Sequence, residues 1–407
     1  MSERVPESGS FYGGVTTRYF PLMADPSTLQ DFIDRYLNYD GLQGEHYFRS
    51  ANSYVILQVL NYNRMAPRAS RLGYISQNEV LFGVPLLWYR KNPTGNSVYN
   101  GIRYELVKFR DASMAPFLLV DNDLSVIGGR ELYGWPKQLM EINSKESPWL
   151  QRPAGDELLL DVRAFLFDRL YAGRARESLP LIEIRRKSQA HFSLDYGQAR
   201  WLASRLKAPI SGLVDWADVN QHRIAHEAYW YKEFSRQIDP MASHTLVQLA
   251  AQARAELAAH EAWQARPLLG RETNNIGLRQ FMFSDDPTLA AYQALGNSVS
   301  RVDQIRGFGT FVQIGGDLSG GIEVHLSHYG QMPIARDLGL ISSREAGASR
   351  VFRPVMPGWM DLDMVYSYAE EDPFLVEIHG QTVKQDRTNL PAYTDEYSIG
   401  MKEEQSR

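Results

Sequence analysis

The chain has 407 residues, 43 Lys and Arg against 48 Asp and Glu, and a formal net charge of −5. That balance argues against nucleic acid as the main partner, because phosphate binding needs a basic surface. There is no cysteine, which excludes disulfides, thiolate catalysis and cysteine-held zinc or iron–sulfur centres, and fits a reducing compartment.

With 44% hydrophobic and 22% charged residues, the composition is that of an ordinary globular protein with a sizeable core. Residues 1–14 are polar and Gly/Ser-rich, without the apolar centre of a signal peptide. No run approaches the roughly 20 apolar residues of a membrane span. The expectation is a cytoplasmic protein with no membrane partner.

The first clear element is a helix: Asp25 caps it, Pro26 takes its first position, and Leu29, Phe32, Ile33, Tyr36 and Leu37 make one apolar face. Strand-like runs follow at 54–60, 79–90, 102–109, 116–127, 157–166 and 179–186, separated by Gly, Pro, Asn and Asp. Few helices lie between them, which predicts antiparallel sheet rather than βαβ units. From about 196 to 275 the chain reads as helix, with an apolar stripe of Leu246, Leu249, Ala250, Ala253 and Leu257. Strand signals return at 308–314 and 322–329, around a glycine-rich turn at 315–321. The reading is a β-rich body over 1–195 and 276–384, a helical insertion over 196–275, and a flexible tail over 385–407.

The segment that carries chemistry is VDNDLSVIGGRELYGWPKQL, residues 120–139. It reads as a strand, a bend at Gly128-Gly129, and a turn through Gly134, Trp135 and Pro136 that delivers Lys137. A lysine between apolar runs is open to desolvation, which disfavours the ammonium and favours a nucleophilic amine. Most lysines beside turns are merely solvated, so spacing alone does not make Lys137 catalytic.

GGRELYGWPKQL resembles the Gly-Arg-Glu-x-x-Gly/Ala-aromatic-Pro-Lys signature of the acetoacetate decarboxylase family, in which the lysine after the proline forms a Schiff base. IEVHLSHYGQMPIARDLGL (322–340) and VFRPVMPGWMDLDMVYSY (351–368) are similar to that family's late strands. The resemblance covers roughly 15–195 and 285–370. It implies an α+β fold, mainly antiparallel β, with a sheet curled into a barrel, and a homo-oligomer acting on a small keto acid without a cofactor or metal.

Residue by residue, the resemblance assigns the Schiff base to Lys137. Glu105, in IRYELVKF, matches the active-site glutamate and would shuttle protons. Arg18, in TTRYFPL, matches the N-terminal arginine and would anchor a carboxylate. Trp135 and Tyr133 would form apolar wall, and Gln138 would also meet the substrate. Two departures stand out. Acetoacetate-cleaving members carry a second lysine after the first, where this chain has Gln138. A second family glutamate lies on an earlier strand, and the comparable VLFGVPLLWY offers none. Both favour a larger keto acid than acetoacetate, with decarboxylation or aldol and dehydration chemistry open. The alternative is a catalytically silent β-barrel that binds a small carboxylate-bearing or apolar ligand.

Other signals are weaker. His222 and His226 stand four apart on an expected helix, but Arg223 replaces the glutamate of the zinc-protease pattern. His325 and His328 are three apart in a strand and point to opposite faces. The aromatic cluster Tyr229, Trp230, Tyr231 and Phe234 reads as packing of the insertion on the body or on a second subunit.

Overall fold

The structure is a computed structural model that describes residues 10–38, 45–67, 74–99, 101–107, 111–130, 135–144, 156–165, 178–187, 272–281, 289–311, 318–328, 332–368 and 374–384. Strand β1 (Ser10–Met23) leads into helix α1 (Pro26–Tyr36), and β2 (His46–Ser50), β3 (Tyr54–Pro67) and β4 (Ile75–Lys91) follow. Next come β5 (Ser97–Tyr99), β6 (Ile102–Leu106), β7 (Asp111–Val120), helix α2 (Asp123–Gly128) and β8 (Lys137–Ser144). The chain continues through β9 (Glu157–Phe165), β10 (Ser178–Arg186), β11 (Glu272–Phe281) and β12 (Leu289–Thr310). It ends on β13 (Ile322–Ser327), the one-turn helix α3 (Ile334–Asp337), β14 (Arg344–Ala346), β15 (Ser349–Phe352), β16 (Gly358–Tyr368) and β17 (Phe374–Lys384).

Seven strands close on themselves. β1 pairs with β3, β3 with β4, β4 with β7, β7 with β11, β11 with β12, β12 with β16, and β16 with β1 again. Only the β7–β11 contact in this ring is parallel. The expected mainly antiparallel barrel is therefore present, and closure leaves its strands without an open edge. A second sheet runs β8–β9–β10–β13–β15–β14, all antiparallel.

β7 joins the two sheets. Its first residues pair with β11 and its last, Leu118–Val120, pair in parallel with Lys137–Leu139 of β8. Lys137 thus stands where β8 leaves the barrel wall for the second sheet.

The strand sequences follow from burial on both faces. Along β4, Val80, Phe82, Val84 and Leu86 point outward into the main core, packed with Met140 and Ile142 of β8, Val324 of β13 and Phe32 of α1. The alternate residues Glu79, Leu81, Gly83 and Pro85 line the barrel interior. Such strands read as continuous apolar runs because neither face meets bulk water. Each fully buried Val or Phe contributes about 1.5–3 kcal/mol.

Helix α1 is as expected: the Asp25 carboxylate accepts from Thr28 N at 2.8 Å, Pro26 follows, and Leu29, Phe32, Ile33 and Tyr36 are buried. The strand expected over 116–127 is corrected. β7 stops at Val120, and DLSVIG turns into α2 because the Asn122 side chain accepts from Ser125 N at 3.2 Å. Strand β11 already begins at Glu272, inside the stretch read as helix up to 275, because Thr273–Asn275 pair with Asp111–Ser113. The rest of the expected helical insertion, its aromatic cluster, His222 and His226, and the tail lie outside the described residues.

Candidate active site

Lys137 opens β8 and is held by its own loop. Pro136 precedes it, Lys137 N donates to Trp135 O at 2.7 Å, and Trp135 N donates to Gly129 O at 3.0 Å. Arg130 reaches across with Nε donating to Lys137 O at 2.6 Å. Gly129 must lack a side chain, since a Cβ there would sit 2.5 Å from Lys137 Cδ and 2.8 Å from Cε. Gly129 and Arg130 of the motif are the mould in which the lysine lies.

The amine points into the barrel. Its Nζ donates to Glu79 Oε2 at 2.8 Å and to Ser125 Oγ at 2.9 Å, and the two charged side chains are only 4% and 5% exposed. Nζ also lies 5.1 Å from the centre of the Trp135 ring, a cation–π distance. Glu79 is held in turn: Tyr62 Oη donates to Oε1 at 3.1 Å and Gln77 Nε2 to Oε2 at 2.9 Å. Burial, and next the charge of Glu79, push the Tyr62 phenol well above the usual tyrosine range, so it stays a donor.

These groups stand at one end of a cavity of about 340 Å³ inside the barrel. Apolar wall comes from Leu60, Leu118, Met360, Met364 and Tyr366, with Trp135 edge-on to Tyr366 at 4.9 Å. The cavity runs along β4 from Glu79 to Pro85, roughly 20 Å at 3.3 Å per residue. Chemically it offers a buried primary amine, a carboxylate within proton-transfer distance, and a largely apolar chamber beside both.

Of the residues singled out from sequence, Lys137 and Trp135 come together in this cavity. Tyr133 lies outside the described residues. Glu105 stands elsewhere: it is on β6 opposite Arg90, and its carboxylate accepts from Asn92 at 2.6 Å. Arg90 and Glu79 are separated by most of the length of β4, so Glu105 is not the carboxylate beside the lysine. Arg18 also misses the cavity. Thr17 and Tyr19 face inward on β1, and Arg18 between them faces outward, where it donates to Asn61. Gln138 is buried on the face opposite Lys137, and its Oε1 has no partner among the described residues.

The carboxylate that sequence reading missed is Glu79. It stands one residue before VLFGVPLLWY, so the earlier strand does carry a glutamate. The available signal was period two: Glu79, Leu81, Gly83 and Pro85 share a face whose other members are apolar or small. Ser125 and Tyr62 carry no comparable signal, because Ser125 falls in a run that reads as strand and Tyr62 lies beyond the run expected over 54–60.

No protein-family model and no curated protein matches the sequence. Among solved structures, the chain is similar to an acetoacetate decarboxylase from Legionella pneumophila, at 11% identity and a TM-score of 0.42, over 91% of this chain and 89% of that one. It is also similar to an acetoacetate decarboxylase-like enzyme from Sphingomonas wittichii RW1, at 12% identity and a TM-score of 0.37, over 93% and 94%. A third is the enduracididine biosynthesis enzyme MppR complexed with the condensation product of pyruvate and imidazole 4-carboxaldehyde, at 11% identity and a TM-score of 0.36, over 90% and 88%.

Proposed function

We propose that this protein is a Schiff-base-forming carbon–carbon lyase that acts on a keto acid through Lys137. The observation that carries this reading is the buried Lys137 amine, held between Glu79 and Ser125 and facing the barrel cavity. Taking an ion pair into a barrel costs several kcal/mol of desolvation, and packing alone would be served by an apolar pair. A lysine kept there at that cost fits a chemical role.

The steps use groups already in contact. Glu79 takes a proton from the Lys137 ammonium, and the neutral amine attacks the substrate carbonyl carbon to give a carbinolamine. Glu79 returns the proton to the departing hydroxyl, water leaves, and a protonated imine remains. If a carboxylate stands β to that carbon, its C–C bond electrons move into the imine, releasing carbon dioxide and leaving an enamine. If a neighbouring C–H is present instead, loss of its proton gives the same enamine for aldol or dehydration chemistry. Protonation and hydrolysis then return the lysine. Ser125 and Trp135 hold the amine while it changes charge.

The experiment is borohydride reduction in the presence of a panel of keto acids, with peptide mapping. An adduct on Lys137 that disappears in Lys137→Ala is the expected result. Adducts on other lysines alone, or none with any keto acid, would sink the proposal and favour a binding barrel.

A further inference from the structure

We infer that the substrate extends from the reacting carbonyl into the barrel and carries there an uncharged hydrogen-bonding group, such as an amide, read by Gln58 and Thr17. This inference rests on the imine reading of Lys137. It concerns the tail of the substrate, not the carboxylate that leaves.

Several polar side chains in the cavity wall make no side-chain hydrogen bond among the described residues, the phenols of Tyr19 and Tyr36 and the Thr273 hydroxyl included; Thr17 and Gln58 are the pair on the adjoining strands β1 and β3 that combines a hydroxyl with an amide. Thr17 on β1 is 9% exposed, Gln58 lies on β3, both face the cavity, and neither makes a hydrogen bond within the described structure. They are neighbours: Thr17 pairs with Leu60 and Gln58 is two residues along the same strand. The polar groups around the lysine, by contrast, are already engaged with one another. A half-buried amide and a buried hydroxyl that open onto the cavity make their hydrogen bonds to water or to a ligand.

Their position fixes where on a ligand the matching group must be. Leu60 is opposite Glu79 on the neighbouring strand, and Gln58 is opposite Leu81. Gln58 is therefore about 7 Å along the barrel from the level of the carboxylate that holds the amine. Its Nε2 approaches the bare backbone of Gly83, 3.5 Å from where a Cβ would be, so the missing side chain leaves room beside the amide.

Charge on the tail is disfavoured. Among the described lining residues the only charged side chains are Lys137 and Glu79, and these are paired with each other. A carboxylate seven ångströms down the barrel would lose its water, gain no cation and stand near Glu79, which sets it behind a neutral group. A neutral amide recovers its lost hydrogen bonds from Gln58 and Thr17. An alkyl end leaves those two groups unmet, which is how a polar pocket rejects an apolar analogue.

The test uses three methyl ketones of equal chain length that end in a primary amide, a carboxylate or an ethyl group, with acetone as the short reference. Each is titrated in borohydride trapping, and the concentration giving half-maximal adduct on Lys137 is read. The expected order is amide first, with the carboxylate and the ethyl ketone each needing roughly tenfold more or worse. Gln58→Leu should bring the amide down to the ethyl ketone. Gly83→Ala, whose methyl makes ordinary contact with the Gln58 amide, should weaken the amide ketone more than acetone and covers the case in which Gln58→Leu folds poorly. A carboxylate or ethyl ketone that matches or beats the amide overturns the inference. Adducts with acetone alone also overturn it while leaving the imine reading intact. No adduct on Lys137 with any of the four overturns both.

Discussion

Two buried glutamates in this molecule are put to opposite uses. Glu323, on β13 of the second sheet, is approached by Arg344 at 2.8 Å, Arg353 at 3.4 Å and Lys187 at 4.0 Å, all three cations being at least a third exposed. Burial pushes its carboxyl up, but hydrogen bonding and charge from Arg344, aided by Lys187 and Arg353, prevail and hold it below the usual range. Glu79 has one cation, the equally buried Lys137, and its remaining bonds come from a neutral phenol and an amide. Glu323 also lies 3.5 Å from His325 Nε2, but several solvent-side cations already hold it as an anion. Glu79 instead shares one buried amine beside a largely apolar cavity, which in the proposed reaction lets a proton pass between the two. The same residue type is a clamp in one sheet and, in the proposed reaction, a proton acceptor in the other.

The largest expected effect breaks the barrel pair. Lys137→Ala should abolish reductive trapping and, by leaving Glu79 buried without its cation, destabilise the fold by about 3 kcal/mol. Adding Glu79→Gln should recover most of that loss in thermal melts, since the uncompensated charge is then gone. A double variant no more stable than Lys137→Ala would mean that the pair is not the source of the cost.

Next comes Glu79→Gln alone, which keeps the amine but removes its proton acceptor. The rate of imine formation should fall by roughly 100- to 10,000-fold. Glu105→Gln, on the distant β6 strand, should leave that rate unchanged, and stopped-flow trapping separates the two. Gly129→Ala follows: its methyl would overlap the Lys137 stem, and a displacement near 1 Å should cost on the order of 100-fold in rate with little change in the melting temperature.

These variants also show how far the sequence could be read. The helix capped by Asp25, most of the strands and the lysine loop were legible, because caps, apolar runs and the Gly-Gly…Trp-Pro-Lys pattern are local signals. The partners of Lys137 were not local. Glu79 comes from β4, Tyr62 from β3 and Ser125 from a helix that the apolar DLSVIG disguised as strand. Only the pairing of β3 with β4, β4 with β7 and β7 with β8 brings the four together. Arg18 and Gln138 missed the cavity for a related reason: in a strand one residue of register turns a side chain to the other face.

Smaller effects concern titration. Glu323→Gln should lower stability near neutral pH by about 1 kcal/mol, since exposed cations are screened. Because folding depresses the Glu323 value, its contribution is present above the ordinary carboxylate range near 4 and lost as pH falls through the folded value. The variant should therefore show a flatter acid limb in denaturant midpoints. At the other end, burial raises Tyr19 to about 12 and Tyr62 well above its usual range. The unfolded chain gives up those protons first, so stability should hold to about pH 10 and decline above it. Tyr62→Phe should soften that alkaline decline, and an unaltered one would mean that Tyr62 is not as dry as its burial indicates.

The central claim, that Lys137 reversibly forms an imine, is tested most directly by oxygen exchange. Each cycle of imine formation and hydrolysis replaces the carbonyl oxygen of a ketone with one from water. A simple methyl ketone incubated with the protein in isotopically labelled water should take up label much faster than in buffer. In Lys137→Ala the exchange should fall to the buffer rate, and in Glu79→Gln to an intermediate one. Wild-type exchange no faster than buffer, or exchange that survives in Lys137→Ala, would contradict the account.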